Sequence, residues 1–159
     1  MEKIEQTIKD FLSGAKSVVF LAVGSDLRAD DAAGIECAKE LLKNKLPENF
    51  KVMLGYTAPE NLTGEIKRAK PTHLIICDAA EFGAGAGEVN VIKVEDIDGD
   101  TISTHMMPIS VFVDYISENV KVKALILGIQ PKTIEFGAEM SEAVKKSSVN
   151  LAKTIYKLI

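Results

Sequence analysis

Three stretches of this chain, Ser17-Val-Val-Phe-Leu-Ala-Val-Gly24, His73-Leu-Ile-Ile-Cys77 and Lys123-Ala-Leu-Ile-Leu-Gly128, are unbroken apolar runs of strand length. Runs that short, without polar alternation, are strands buried on both faces, which happens where helices cover a parallel sheet from either side. Lys51-Val-Met-Leu-Gly55 adds a further strand. Between the strands the period turns helical. Ile35, Ala38, Leu41 and Leu42 follow the first strand, Ile109, Phe112, Val113 and Ile116 precede the last, and Val144, Ser148, Leu151, Ile155 and Leu158 close the chain in steps of three and four. Pro59 suits the first turn of a short helix through Glu60 to Arg68. Ile4, Ile8, Phe11 and Leu12 predict an amphipathic helix ending near Ser13-Gly14, so that residues 1–14 form a peripheral cover.

The third strand ends in Asp78, and only the loop Ala79 to Ala86 separates it from the next strand, Glu88 to Lys93. A parallel crossover needs a dozen or more residues, so this strand is expected to be antiparallel. The resulting fold class is α/β, a single doubly wound domain over residues 1–159. Its mostly parallel five-stranded sheet has one antiparallel strand and helices on both faces.

Composition removes several function classes. With 19 Lys+Arg against 23 Asp+Glu the net charge is -4, so neither nucleic acid nor an anionic membrane is an expected partner. No apolar run reaches bilayer length, and the first residues lack a signal-peptide apolar region, so a cytoplasmic protein is expected. Cys37 and Cys77 have no partners at zinc-site spacing and read as reduced, buried packing residues, one on a helix and one on a strand. Gly24 and Gly34 do not make a dinucleotide fingerprint, and the chain has no phosphate loop, no H-E-x-x-H and no nucleophile elbow.

Doubly wound sheets bind ligands in the crevice outside the carboxyl ends of their strands. Asp31 lies after the first strand, Asp78 ends the third, and His105 stands just before Pro108 opens the helix of Ile109. The stretch Val94 to Thr104 can span roughly 36 Å, enough to return His105 to that edge. Two carboxylates and an imidazole suit a borderline divalent metal such as nickel, copper or zinc. Spacing alone leaves a structural alternative open, since an Asp at such a junction is commonly a helix N-cap and three residues from three loops form no motif. Asp30 is the better-placed cap for the Ile35 helix, and His73, at the opposite edge, is read as structural.

The combination is more specific than its parts. Val23-Gly24-Ser25-Asp26-Leu27-Arg28-Ala29-Asp30-Asp31-Ala32-Ala33-Gly34 resembles the V-G-N-x-L-x-x-D-D-G-x-G opening of the nickel-iron hydrogenase maturation endopeptidases. Thr57-Ala58-Pro59-Glu60-Asn61, His73-Leu-Ile-Ile-Cys77-Asp78-Ala79, Thr104-His105-Met106-Met107-Pro108 and Leu127-Gly128-Ile129-Gln130-Pro131 follow in the family's order. These last segments resemble the branch that processes the large subunit of the formate-hydrogenlyase hydrogenase, hydrogenase 3. Ser25 stands for the family's Asn, and Ala32 replaces a Gly that could adopt positive φ without strain.

The resemblance implies an aspartic-type endopeptidase that removes a short C-terminal extension from the hydrogenase large-subunit precursor once nickel is inserted. Asp31, Asp78 and His105 then fall on the nickel-contacting positions. The nickel belongs to the precursor, and no organic cofactor is implied. Asp31 and Asp78 are the expected catalytic pair, activating water as a general base or through the metal as Lewis acid, with Asp30 a spare base. Two alternatives share these residues. A phosphorylation receiver domain has the same winding and an acidic edge, but this chain reads Pro131-Lys132 where a receiver places Lys before Pro. A non-catalytic nickel-binding chaperone would hold the precursor without shortening it.

Overall fold

A computed structural model describes residues 2–93 and 109–159 of the chain. Strands β1 (Val18–Val23), β2 (Phe50–Tyr56), β3 (His73–Ala79), β4 (Val89–Ile92) and β5 (Lys123–Ile129) form one sheet in the order β2-β1-β3-β5-β4. β1 lies parallel to β2 and β3, β3 parallel to β5, and β4 runs antiparallel to β5, pairing Val89 with Ile129 and Ile92 with Ile126. Every residue of β1 and β3 is buried, as the apolar runs Val18–Val23 and 74–77 require of strands with neighbours on both sides and helices on both faces.

The strand period of two sorts these residues between two cores. Val18, Phe20, Ala22, Ile75, Cys77, Leu125 and Leu127 face helices α1 (Glu2–Leu12), α2 (Ala33–Leu41) and α5 (Glu142–Leu158). Val19, Leu21, Val23, Leu74, Ile76 and Ile126 face α3 (Thr63–Ala69) and α4 (Ile109–Asn119). The helical stripes read from sequence are the contacts made. Ile4 and Ile8 of α1, Phe112, Val113 and Ile116 of α4, and Val144, Ser148, Leu151 and Ile155 of α5 are all buried.

Two expectations change. The helix expected from Glu60 to Arg68 is a 3-10 turn, Pro59–Leu62, followed by α3. The chain winds tightly there because Asn61 N–H donates to the Ala58 carbonyl and the Thr63 hydroxyl to the Glu60 carbonyl, both three residues apart. Leu42 does not join the buried stripe: α2 closes at Leu41, and Leu42 is half exposed as its C-cap. Among the described residues no helix is long and apolar enough to cross a membrane.

At the amino edge of the sheet His73 is buried, with Nδ1 2.9 Å from the Thr72 hydroxyl and Phe11 edge-on to its ring at 5.0 Å. The same hydroxyl oxygen accepts the Lys16 and Ser17 N–H groups, joining the entry of β1 to that of β3. Burial pushes the imidazole pKa below its ordinary 6.5, and Lys123 adds to the effect. The folded ring therefore resists a proton that the unfolded chain takes up near pH 6.5, so stability is lost as pH falls through 6.5 towards the lower folded value. His73→Gln should flatten the pH dependence of the melting temperature between about pH 7 and pH 5. An unchanged slope in thermal melts would assign that dependence to other groups.

Candidate functional site

The chain leaves β1 through Gly24, whose φ is +136°. A β-carbon there would lie 1.9 Å from the Asp31 carbonyl oxygen, so only glycine lets the loop fold back so closely. A 3-10 turn, Ala29–Ala32, then packs on β3 and leads into α2. In the first turn of α2, a β-carbon on Gly34 would lie 2.1 Å from the Cys77 carbonyl oxygen and 2.7 Å from that of Val23. The helix therefore starts directly on the adjoining carboxyl ends of β1 and β3.

This is the topological switch point of the sheet. The connection from β1 runs outward through α2 to β2, and the chain then crosses back through α3 to β3 on the other side of β1. Asp31 and Asp78, 1% and 2% exposed, are both brought to this edge, Asp31 from the turn and Asp78 as the residue after Cys77. Asp31 Oδ2 accepts the Ser25 N–H at 2.9 Å. That bond uses Ser25's backbone, so Ser in place of Asn leaves it intact. Ala32 sits at φ −78°, where alanine is unstrained; beyond Gly24 the positive φ of the loop falls on Ala29, at +46°. His105 lies outside the described residues, as do Thr104 and Pro108. Among the described residues no group of three His, Cys, Asp or Glu could hold a metal ion.

Asp30 does something other than cap the Ile35 helix. The N-cap of α2 is Ala32, with no side-chain bond, because the 3-10 turn separates Asp30 from the helix. The Asp30 carboxylate is fully buried and accepts the N–H groups of Lys132 (2.8 Å), Thr133 (3.1 Å) and Ser141 (2.6 Å) and the Ser141 hydroxyl (2.8 Å). Its own N–H donates to the Thr133 carbonyl. One carboxylate thus ties the β5–α5 loop to the β1–α2 loop, beside Asp31. Buried and accepting four hydrogen bonds, the Asp30 carboxylate holds two loops together.

Gln130 stands in the Leu127-Gly128-Ile129-Gln130-Pro131 motif, which by itself gives it no role. Buried at the end of β5, its Oε1 accepts the N–H groups of Phe82 and Ala84, and its Nε2 donates to Glu81 Oε1 at 2.6 Å. It holds the loop that follows Asp78. The signal for it is a polar residue directly after the apolar run 124–129. Asp30, Asp31, Asp78 and Gln130 are four of the six buried polar or charged side chains among the described residues, which concentrates buried polarity at this one edge. Cys37 and Cys77 are fully buried and unbridged, and burial, then Cys77, pushes the Cys37 thiol well above its ordinary value, which suits packing rather than attack.

Comparison with known proteins gives the class of such a molecule. The family model described as HycI, hydrogenase maturation protease, matches residues 35–158. The chain belongs to the HycI family of hydrogenase maturation proteases. The hydrogenase 3 maturation protease of Escherichia coli K12 is 33% identical over 140 residues, covering 87% of this chain and 85% of its own. A Methanocaldococcus jannaschii relative that carries the hydrogenase maturation protease name is 34% identical, covering 98% of this chain and 96% of its own. The crystal structure of HycI from Thermococcus kodakarensis superposes with a TM-score of 0.89 at 28% identity, covering 96% of this chain and 97% of that one.

Two substitutions test how the edge is built. Gly34→Ala should cost about 2–3 kcal/mol in denaturant unfolding because backbone must move, whereas Gly64→Ala, which meets only Arg68 Nη1 at 3.5 Å, should be neutral or stabilising. Asp30→Asn turns an amide NH2 towards N–H donors and should cost roughly 3 kcal/mol, with Ser141→Ala, which removes one donor, costing about 1 kcal/mol.

Proposed function

We propose that this chain is the endopeptidase that removes the C-terminal extension of a nickel-iron hydrogenase large-subunit precursor after nickel insertion. The observation that carries the reading is the burial of two carboxylates, Asp31 and Asp78, at the switch point of the sheet in a member of the maturation protease family. The name of the Escherichia coli relative supports a precursor of the hydrogenase 3 type. The receiver alternative falls with family membership.

Asp31, Asp78 and His105 bind the nickel carried by the precursor, so that only a loaded substrate is held with its scissile bond in the crevice, and recognition becomes proximity. The cut is of the aspartic type. A carboxylate of the Asp31 and Asp78 pair takes a proton from water as the oxygen adds to the peptide carbonyl. The tetrahedral adduct then expels the amine, which leaves with that proton, and the mature subunit keeps the new carboxylate. The enzyme needs no metal or organic cofactor of its own. We assign it to the cytoplasm, a reducing compartment in which its two buried thiols persist.

The deciding experiment mixes the protein with nickel-loaded and nickel-free precursor and follows mass. Only the loaded form should shorten; cleavage of both forms would remove nickel from recognition, and binding without shortening would make the chain a chaperone. Asp31→Asn, Asp78→Asn and His105→Ala should each lower the cleavage rate at least about 100-fold while far-ultraviolet circular dichroism stays native. A variant that cleaves at the wild-type rate takes its residue out of the mechanism.

A further inference from the structure

We propose that Leu27 and Phe136 form an apolar subsite that takes an apolar side chain of the precursor polypeptide beside the bond to be cut. This rests on the reading that cleavage occurs at the Asp31 and Asp78 edge. Leu27, 60% exposed, and Phe136, 70% exposed, are the most exposed large hydrophobic residues described in the molecule. They come from different loops. Leu27 lies between β1 and the 3-10 turn, and Phe136 lies between β5 and α5.

Hydrogen bonds run from the site to this pair without a gap. Asp31 Oδ2 accepts the Ser25 N–H, the Ser25 hydroxyl oxygen accepts the Leu27 N–H at 3.3 Å, and the Leu27 carbonyl accepts the N–H of Gly137, next to Phe136, at 2.8 Å. The Asp30 carboxylate, with its four donors, locks the same two loops together from beneath. With the loops tied at these backbone points, both apolar side chains stand largely in water.

The character of the lip selects the occupant. The exposed charged residues flanking it in sequence, Asp26, Arg28, Lys132, Glu135 and Glu139, are acidic by one, so it offers no attractive field for anionic lipid or nucleic acid. Two side chains fall well short of the roughly 800 Å² per partner of a stable protein interface, so a second copy of this chain is a poor fit. An apolar side chain on an extended polypeptide, whose neighbouring residues enter the crevice, matches both size and position. Because the pocket grips a residue that does not react, it binds ground state and transition state alike.

The test uses Leu27→Ser, Phe136→Ser and the double variant in the full-length protein, with Leu42→Ser at the far end of α2 as control. Binding of nickel-loaded precursor is measured by calorimetry and cleavage by steady-state kinetics. Each lip variant should weaken binding about tenfold and raise KM by a similar factor, with kcat within about twofold of wild type. Leu42→Ser should match wild type in both. Wild-type binding by the double variant overturns the subsite, as does a wild-type dimer in sedimentation that dissociates when the two residues are replaced. The reading beneath it fails separately. A wild-type protein that binds precursor in a lip-dependent way but never shortens it sinks the protease assignment and keeps the subsite.

Discussion

Two backbone carbonyls, those of Val23 and Cys77, stand where a β-carbon of residue 34 would have to be, and a third, that of Asp31, stands where a β-carbon of residue 24 would be. These contacts hold α2 and the turn before it against the adjoining ends of β1 and β3, at the one place in the sheet where successive connections diverge to opposite sides. A larger residue at either glycine would push the turn away from β3 and carry Asp31 with it. The separation between the two carboxylates is thus set by main-chain packing, before any side chain is considered.

Around that contact the molecule buries polar groups, which is unfavourable unless each finds a partner. Asp30 and Gln130 meet the condition by receiving N–H groups of irregular loops, groups that no helix or strand would otherwise satisfy. The arrangement is mutual: the loops need acceptors, and the buried carboxylate and amide need donors. Loops that would ordinarily be the most mobile parts of an α/β protein become rigid extensions of the sheet. Such rigidity matters for a protease, because a crevice assembled in advance spends little binding energy on ordering itself.

Much of the fold was legible in the chain, and the reason is local. Continuous apolar runs at 17–24, 73–77 and 123–128 leave no polar face, so they belong at the centre of a covered sheet, and the short link after Asp78 leaves only an antiparallel route into β4. At Leu42 and in the turn at Pro59–Leu62, the deciding events were the end of a helix and a choice between three- and four-residue hydrogen bonds, both close in energy and so not legible locally. At the site, the type of Asp31 and Asp78 and their arrival at the carboxyl edge also followed from strand order. Asp30 did not: beside an incipient helix an aspartate reads as a cap, and its partners, Lys132, Thr133 and Ser141, are a hundred residues or more away.

Periodicity, run length and loop length act over neighbouring residues, and they alone determined the doubly wound sheet, its antiparallel edge and the edge to which the acidic residues come. Only tertiary structure decided that Gly24 and Gly34 are contact points rather than flexible links, and that Asp30 and Gln130 bolt loops together. It also decided that the Leu27 carbonyl meets the Gly137 N–H, so that the loops carrying the exposed Leu27 and Phe136 are joined. Those are facts about which distant backbone groups meet, and no local pattern encodes a partner that the chain reaches only after folding.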